Sequence, residues 1–128
     1  MGLDMYLEGE KFVYENPQIE DGFEVTKRTL QLGYWHKHPD LHGFIINEFA
    51  DGKDNCQKIE LGEEKLKKII EAVQNDNLPY TTGCFFGEST SDDKAPSLDI
   101  LTNSLEWLKK EEPGIRKTVV YQAYQASW

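Results

Sequence analysis

The three histidines of the chain, His36, His38 and His42, fall within seven positions of one stretch, YWHKHPDLHG, residues 34–43. Neutral imidazole is the commonest side-chain metal ligand, so a metal centre is the first chemistry this crowding suggests. The spacing argues against it. Pro39 is favoured at the first helical position, which makes His38 the N-cap, leaves His36 outside the helix and denies the three rings a common face. An earlier helix start would align His38 with His42 four residues on, but His36 would then point away. Asp40, Asp54 and Cys56 offer further ligand types without completing a recognisable zinc spacing. The expectation is no metal, no cofactor, and a hydrogen-bonded His42.

A second constellation is His42 with Asp54 and Cys56, since a thiol, an imidazole and a carboxylate can act as nucleophile, base and orienting group. Nothing in the sequence brings them together, and a packed thiol beside a hydrogen-bonded histidine is the plainer reading. The segment TTGCFFGE, residues 81–88, is no phosphate loop, because Gly83 and Gly87 bracket a strand-like run and open no helix. The closing YQASW alternates Tyr124, Ala126 and Trp128 with Gln125 and Ser127. Beside Asp4 and Tyr6 on a neighbouring strand, Gln125 and Ser127 would line a polar pocket for a small molecule. The candidate ligand-binding residues are therefore Asp4, Tyr34, Lys37, His42, Gln125 and Ser127. Core or interface packing of the aromatic strand is the competing reading.

The elements that must position these groups follow from periodicity. Leu3, Met5 and Leu7 alternate with Asp4, Tyr6 and Glu8, the period of a half-buried strand. KFVYE, residues 11–15, continues it through a turn at residues 8–10, and NPQIEDG breaks the pattern at Pro17 and Gly22. Residues 23–32 resume alternation as a second hairpin arm. From Leu41 the period becomes helical through Leu41, Phe44, Ile45 and Phe49. CQKIEL reads as a short strand. Glu63 and Glu64 open a second helix with the stripe Leu66, Ile69, Ile70 and Val73, their charges favoured by the backbone dipole. Residues 80–88 read as a buried strand. Pro96 opens a third helix with the stripe Leu98, Leu101, Leu105 and Leu108, and IRKTVVYQAYQASW closes the chain as a strand. The expected fold is α+β: one domain over residues 1–128, a mixed sheet with about three helices mainly on one face and the terminal strands adjacent or nearly so.

Charge bounds the partners. A formal net charge of −9 and a pI near 4.8 argue against a nucleic acid held by phosphate contacts, whose affinity comes mainly from Lys and Arg releasing counterions. A basic partner fits better. No apolar run approaches the ~18 to 20 residues of a spanning helix, and the start MGLDMYLEGE lacks a signal-peptide layout, so a cytoplasmic protein is expected, with no membrane association. Tyr6 stands where a myristoylation motif needs Ser or Thr. Cys56 and Cys84 belong to no CxxC pair and are expected to be reduced.

Several motifs, taken in order, resemble a family of small uncharacterised phage and bacterial proteins: MGLDMYL at the start, Tyr34, Trp35, Lys37 and His42, DNC at residues 54–56, Leu78 and Pro79, the TG.FFG pattern of residues 82–87, and YQASW at the end. The resemblance spans the whole chain and implies a phage or prophage origin. It implies no established activity. Some family members carry a phosphoglycerate kinase label, but this chain is too short for a two-domain kinase and has no glycine-rich phosphate loop. Only His42 of the three histidines matches the family pattern; His36 stands where arginine is usual, and His38 lies outside the motif. The leading expectation is a non-enzymatic cytoplasmic binding protein with a protein partner, itself a monomer or homodimer. The alternative is an enzyme or sequestering protein for a small polar or nucleotide-like ligand.

Overall fold

The computed structural model describes residues 2–36, 38–79 and 94–126. In chain order the elements are β1 (Gly2–Val13), β2 (Gln18–Glu20), β3 (Phe23–Val25), β4 (Lys27–His36), α1 (Pro39–Phe49), β5 (Ile59–Glu60), α2 (Glu63–Gln74), α3 (Lys94–Lys109) and β6 (Ile115–Ala126). The main sheet has the order β4-β1-β6-β5, and every pairing described in it is antiparallel. The fold is α+β, and the terminal strands β1 and β6 are neighbours from Gly2↔Ala126 to Val13↔Ile115.

Alternation decides which face is buried. Leu3, Met5 and Leu7 of β1 join Val119, Tyr121 and Ala123 of β6 and Trp35 of β4 on one side, where they meet Leu41 and Ile45 of α1, Leu66, Ile69 and Val73 of α2, and Leu101 of α3. All three helices thus share one core. Each fully buried aliphatic side chain there contributes about 1.5–3 kcal/mol from removal of apolar surface from water. His38 is the N-cap of α1 and Pro39 its first residue, as the sequence predicts.

Four sequence readings are corrected. β1 does not turn at residues 8–10. Gly9 stays in the strand because its bare backbone receives the indole of Trp107, and a Cβ there would lie 2.7 Å from Trp107 Cη2. Gly33 of β4 receives Ile100 in the same way, with an added Cβ colliding with Ile100 Cγ2. The two glycines draw α3 close to the sheet. This changes which residues of α3 face the core: the fully buried stripe is Ser97, Leu101 and Ser104, while Leu98, Leu105 and Leu108 lie partly buried at its flanks. Small side chains suit the close approach, and their hydroxyls are used: Trp35 Nε1 donates to Ser97 Oγ (2.8 Å), and Ser104 Oγ donates to the carbonyl of Ile100 (2.7 Å). The expected strand CQKIEL shrinks to Ile59–Glu60, and Cys56 is exposed in a loop at φ 59° instead of packed. The strand expected at residues 80–88 lies outside the described residues.

The carbonyl end of α3 is held by a buried lysine. Lys117 Nζ donates to the carbonyls of Trp107 (3.0 Å) and Lys110 (2.8 Å), so a cation sits where the helix dipole is negative. Beyond the end of β1, β2 and β3 form a small hairpin. Its turn is Asp21-Gly22, both at positive φ (55° and 83°), the geometry a two-residue loop needs to match strand twist.

Candidate functional site

The sheet face opposite the helices carries a group of exposed and half-buried aromatic and polar side chains. Two cross-strand rows build it. Asp4 stands between His36 of β4 and Tyr124 of β6, and Tyr6 stands between Tyr34 and Gln122. Alternation along three adjacent strands therefore puts all six side chains on one surface. Tyr34 Oη donates to Asp4 Oδ1 at 2.6 Å, and His36 Nδ1 lies 3.1 Å from the same oxygen. The rings of Tyr6 and Tyr34 have centroids 5.2 Å apart at 50°, and those of Tyr6 and Tyr124 5.8 Å apart at 72°. Both are arrangements that aromatic quadrupoles favour. Tyr124 Oη donates to Gln122 Oε1 (3.2 Å), and Gln122 Nε2 donates to the Cys56 carbonyl (2.8 Å), fixing the loop after α1 beside the patch.

These bonds set the charge of the patch. The hydrogen bonds from Tyr34 and His36 hold the Asp4 carboxyl below its ordinary value of 3.8, so it remains an anion at neutral pH. The same bond, with Asp4's charge and partial burial adding, pushes the Tyr34 phenol up to about 12. The surface thus presents one fixed carboxylate framed by the rings of Tyr6, Tyr34 and Tyr124. Tyr34 and Tyr124 remain 42% and 51% exposed.

A second polar chain runs from the core out to the loop after α1. His42 Nδ1 is 2.6 Å from Tyr121 Oη and His42 Nε2 is 2.7 Å from Asp54 Oδ2. A carboxylate only accepts, so in the neutral ring Nε2 carries the proton and Nδ1 accepts from the Tyr121 hydroxyl. Burial, and secondarily the charge of Asp54, raise the Tyr121 phenol well above its ordinary value. This arrangement fastens the residue 50–58 loop to β6. Among the described residues it does not assemble the thiol, imidazole and carboxylate set: Tyr121 and Asp54 bond the two ring nitrogens, and Cys56 is exposed on the loop.

The sequence candidates are therefore divided. Asp4 and Tyr34 are bonded to each other on the outer face. His42 lies on the core face, against Tyr121. Gln125 pairs in register with Leu3, and Asp4's partner on β6 is Tyr124. Lys37 and Ser127 are outside the described residues. The outer patch adds His36, Tyr6, Gln122 and Tyr124, which the sequence reading left out of the set. Their alternation was visible in each strand, but the β1/β6 register that unites them was not. His36 and His42 occupy opposite faces of the sheet, and among the described residues no three His, Cys, Asp or Glu side chains stand close enough to hold a metal ion. No described helix is long and apolar enough to cross a membrane. Comparison with family models, curated proteins and solved structures finds no match for this chain.

Proposed function

We propose that the chain is a non-enzymatic binding protein, a phage or prophage-type accessory factor of the bacterial cytoplasm. It takes a basic protein segment on the outer sheet face around Asp4, Tyr6, Tyr34 and Tyr124. The reading rests chiefly on the composition of that face: an anion that stays ionised, ringed by exposed phenol faces that attract a Lys or Arg side chain through their quadrupoles. Tyrosine is also the residue type enriched where proteins meet. The net charge of −9 draws cationic segments toward the molecule and repels nucleic acid.

The test is a titration of the ¹⁵N-labelled protein with an Arg-rich peptide and, in parallel, a Glu-rich one of equal length. The expected result is that amide shifts with the basic peptide concentrate on β1, β4 and β6 around the patch, weaken with salt, and are lost in Tyr34→Ala and Asp4→Asn. Shifts spread evenly over the acidic helix surfaces, or none, would remove this reading. A second reading is favoured by the bonded trio of Asp4, Tyr34 and His36: a small polar or nucleotide-like ligand, bound or turned over at the same place. Native mass spectrometry of protein purified from a bacterial host separates the two, since a retained metabolite adds mass that denaturation removes.

A further inference from the structure

The far end of the same sheet is built differently. Residues 14–24 of the β2/β3 arm are all exposed, and among them Tyr14, Ile19 and Phe23 are 65%, 67% and 76% exposed. The arm, residues 14–26, holds Glu15, Glu20, Asp21 and Glu24 and no Lys or Arg. Two strands of three residues have no core of their own, so these apolar side chains are left in water. At the base of the arm, Phe12 stands between Lys27 of β4 and Arg116 of β6 in the strand register. Both cations lie 5.5 Å from its ring centroid. Phe12, Tyr14, Ile115 and Arg116 line a largely apolar groove of about 580 Å³.

The charges of arm and groove are complementary. Only two arginines occur in this acidic chain, Arg28 and Arg116, and both stand at this end of the sheet. Lys27 is paired with Glu10, and Arg28 reaches Glu20 and Gln18 of its own arm. Arg116 has no carboxylate within ion-pair distance among the described residues. An apolar, acidic projection and an apolar, basic groove on one surface are the two halves of a self-complementary contact, as a two-fold interface requires.

We propose that this end of the molecule is a homodimer interface, in which the arm of one copy lays Phe23 and its acidic neighbours into the Phe12 and Arg116 groove of a second copy. Pairing through β4, an edge strand among the described residues, is the competing way to join two copies. That edge carries the charges of Lys27 and Arg28 and an irregular register between Leu7 and Glu8 of its β1 partner, both of which discourage strand addition.

Sedimentation velocity from micromolar to millimolar protein tests the proposal on the wild type, Phe23→Ser and Arg116→Glu. Both substituted side chains are exposed, and a retained cooperative thermal transition confirms that each variant folds. The wild type is expected to dimerise with concentration, with each variant weakening the dimer about tenfold or more. An isotope-filtered NOE experiment on mixed labelled and unlabelled wild type is expected to show contacts from Phe23 of one copy to Phe12 or Ile115 of the other. A wild type that stays monomeric throughout, a dimer indifferent to both substitutions, or intermolecular contacts confined to β4 would overturn it.

Discussion

Replacing Tyr121 by Phe deletes a single oxygen from the core and isolates the worth of the buried His42 chain. The side chain keeps its volume, so little cavity cost enters. The loss falls on His42 Nδ1, which gives up its 2.6 Å bond to the hydroxyl in a region where Tyr121 and His42 are 1% and 2% exposed. A neutral hydrogen bond contributes about 0.5–1.5 kcal/mol net, but a buried acceptor deprived of its donor costs about 1–3 kcal/mol, because no water replaces it. A central value of about 2 kcal/mol follows. With an unfolding entropy of about 2.1 cal/mol/K per residue, a chain of this length has about 0.27 kcal/mol/K, and Tm falls by about 7 °C.

The assay is urea denaturation, read as a lower midpoint at unchanged slope. Tyr124→Phe is the control: it makes the same deletion three residues on, where the hydroxyl bonds Gln122 at a half-exposed position, and is expected to stay within about 0.5 kcal/mol of wild type. NMR of the imidazole nitrogens adds a second check, since the geometry requires the neutral His42 ring to be protonated at Nε2. A Tyr121→Phe midpoint equal to that of Tyr124→Phe, or a proton on Nδ1, would refute the assignment of a buried tyrosine-to-histidine-to-carboxylate chain.

The close seating of α3 predicts that Gly33→Ala, which drives a methyl into Ile100, destabilises by about 1–3 kcal/mol through overpacking. A denaturation midpoint at or above wild type would show that α3 yields freely. Glu10 supplies a pH dependence. The hydrogen bond from Lys27 holds its carboxyl below the ordinary 4.5, against opposing burial, so its contribution is full above about pH 4.5 and is lost as pH falls through the depressed folded value. Midpoints from about pH 6 to about pH 3 should therefore fall more steeply for wild type than for Glu10→Gln, and parallel profiles would contradict the linkage.

The residues that were easy to read in the sequence are those whose neighbours are local. Pro39 after His38 marks a helix start because the constraint on proline's φ acts within one residue, and the Leu66, Ile69, Val73 stripe states its own buried face at helical period. Gly9 is illegible in the sequence for the opposite reason. A glycine flanked by Glu8 and Glu10 has the local chemistry of a turn, and what keeps it in β1 is Trp107, far along the chain. The α3 leucines misled in the same way, since Ser97 and Ser104 become core residues only once Gly9 and Gly33 have brought the helix down on the sheet. The candidate site shows the same division. Asp4, Tyr34 and His42 all announce chemistry by type, yet strand parity places the first two on one face and the α1 core packing places the third on the other. The sheet therefore separates two polar chains with different work. One links buried His42 to Tyr121 and to Asp54 on the loop and bears on stability; the other keeps Asp4 charged at the surface, on the face proposed for binding. Their independence follows from that separation: Tyr121→Phe should lower stability without altering the binding face, and Tyr34→Ala the reverse.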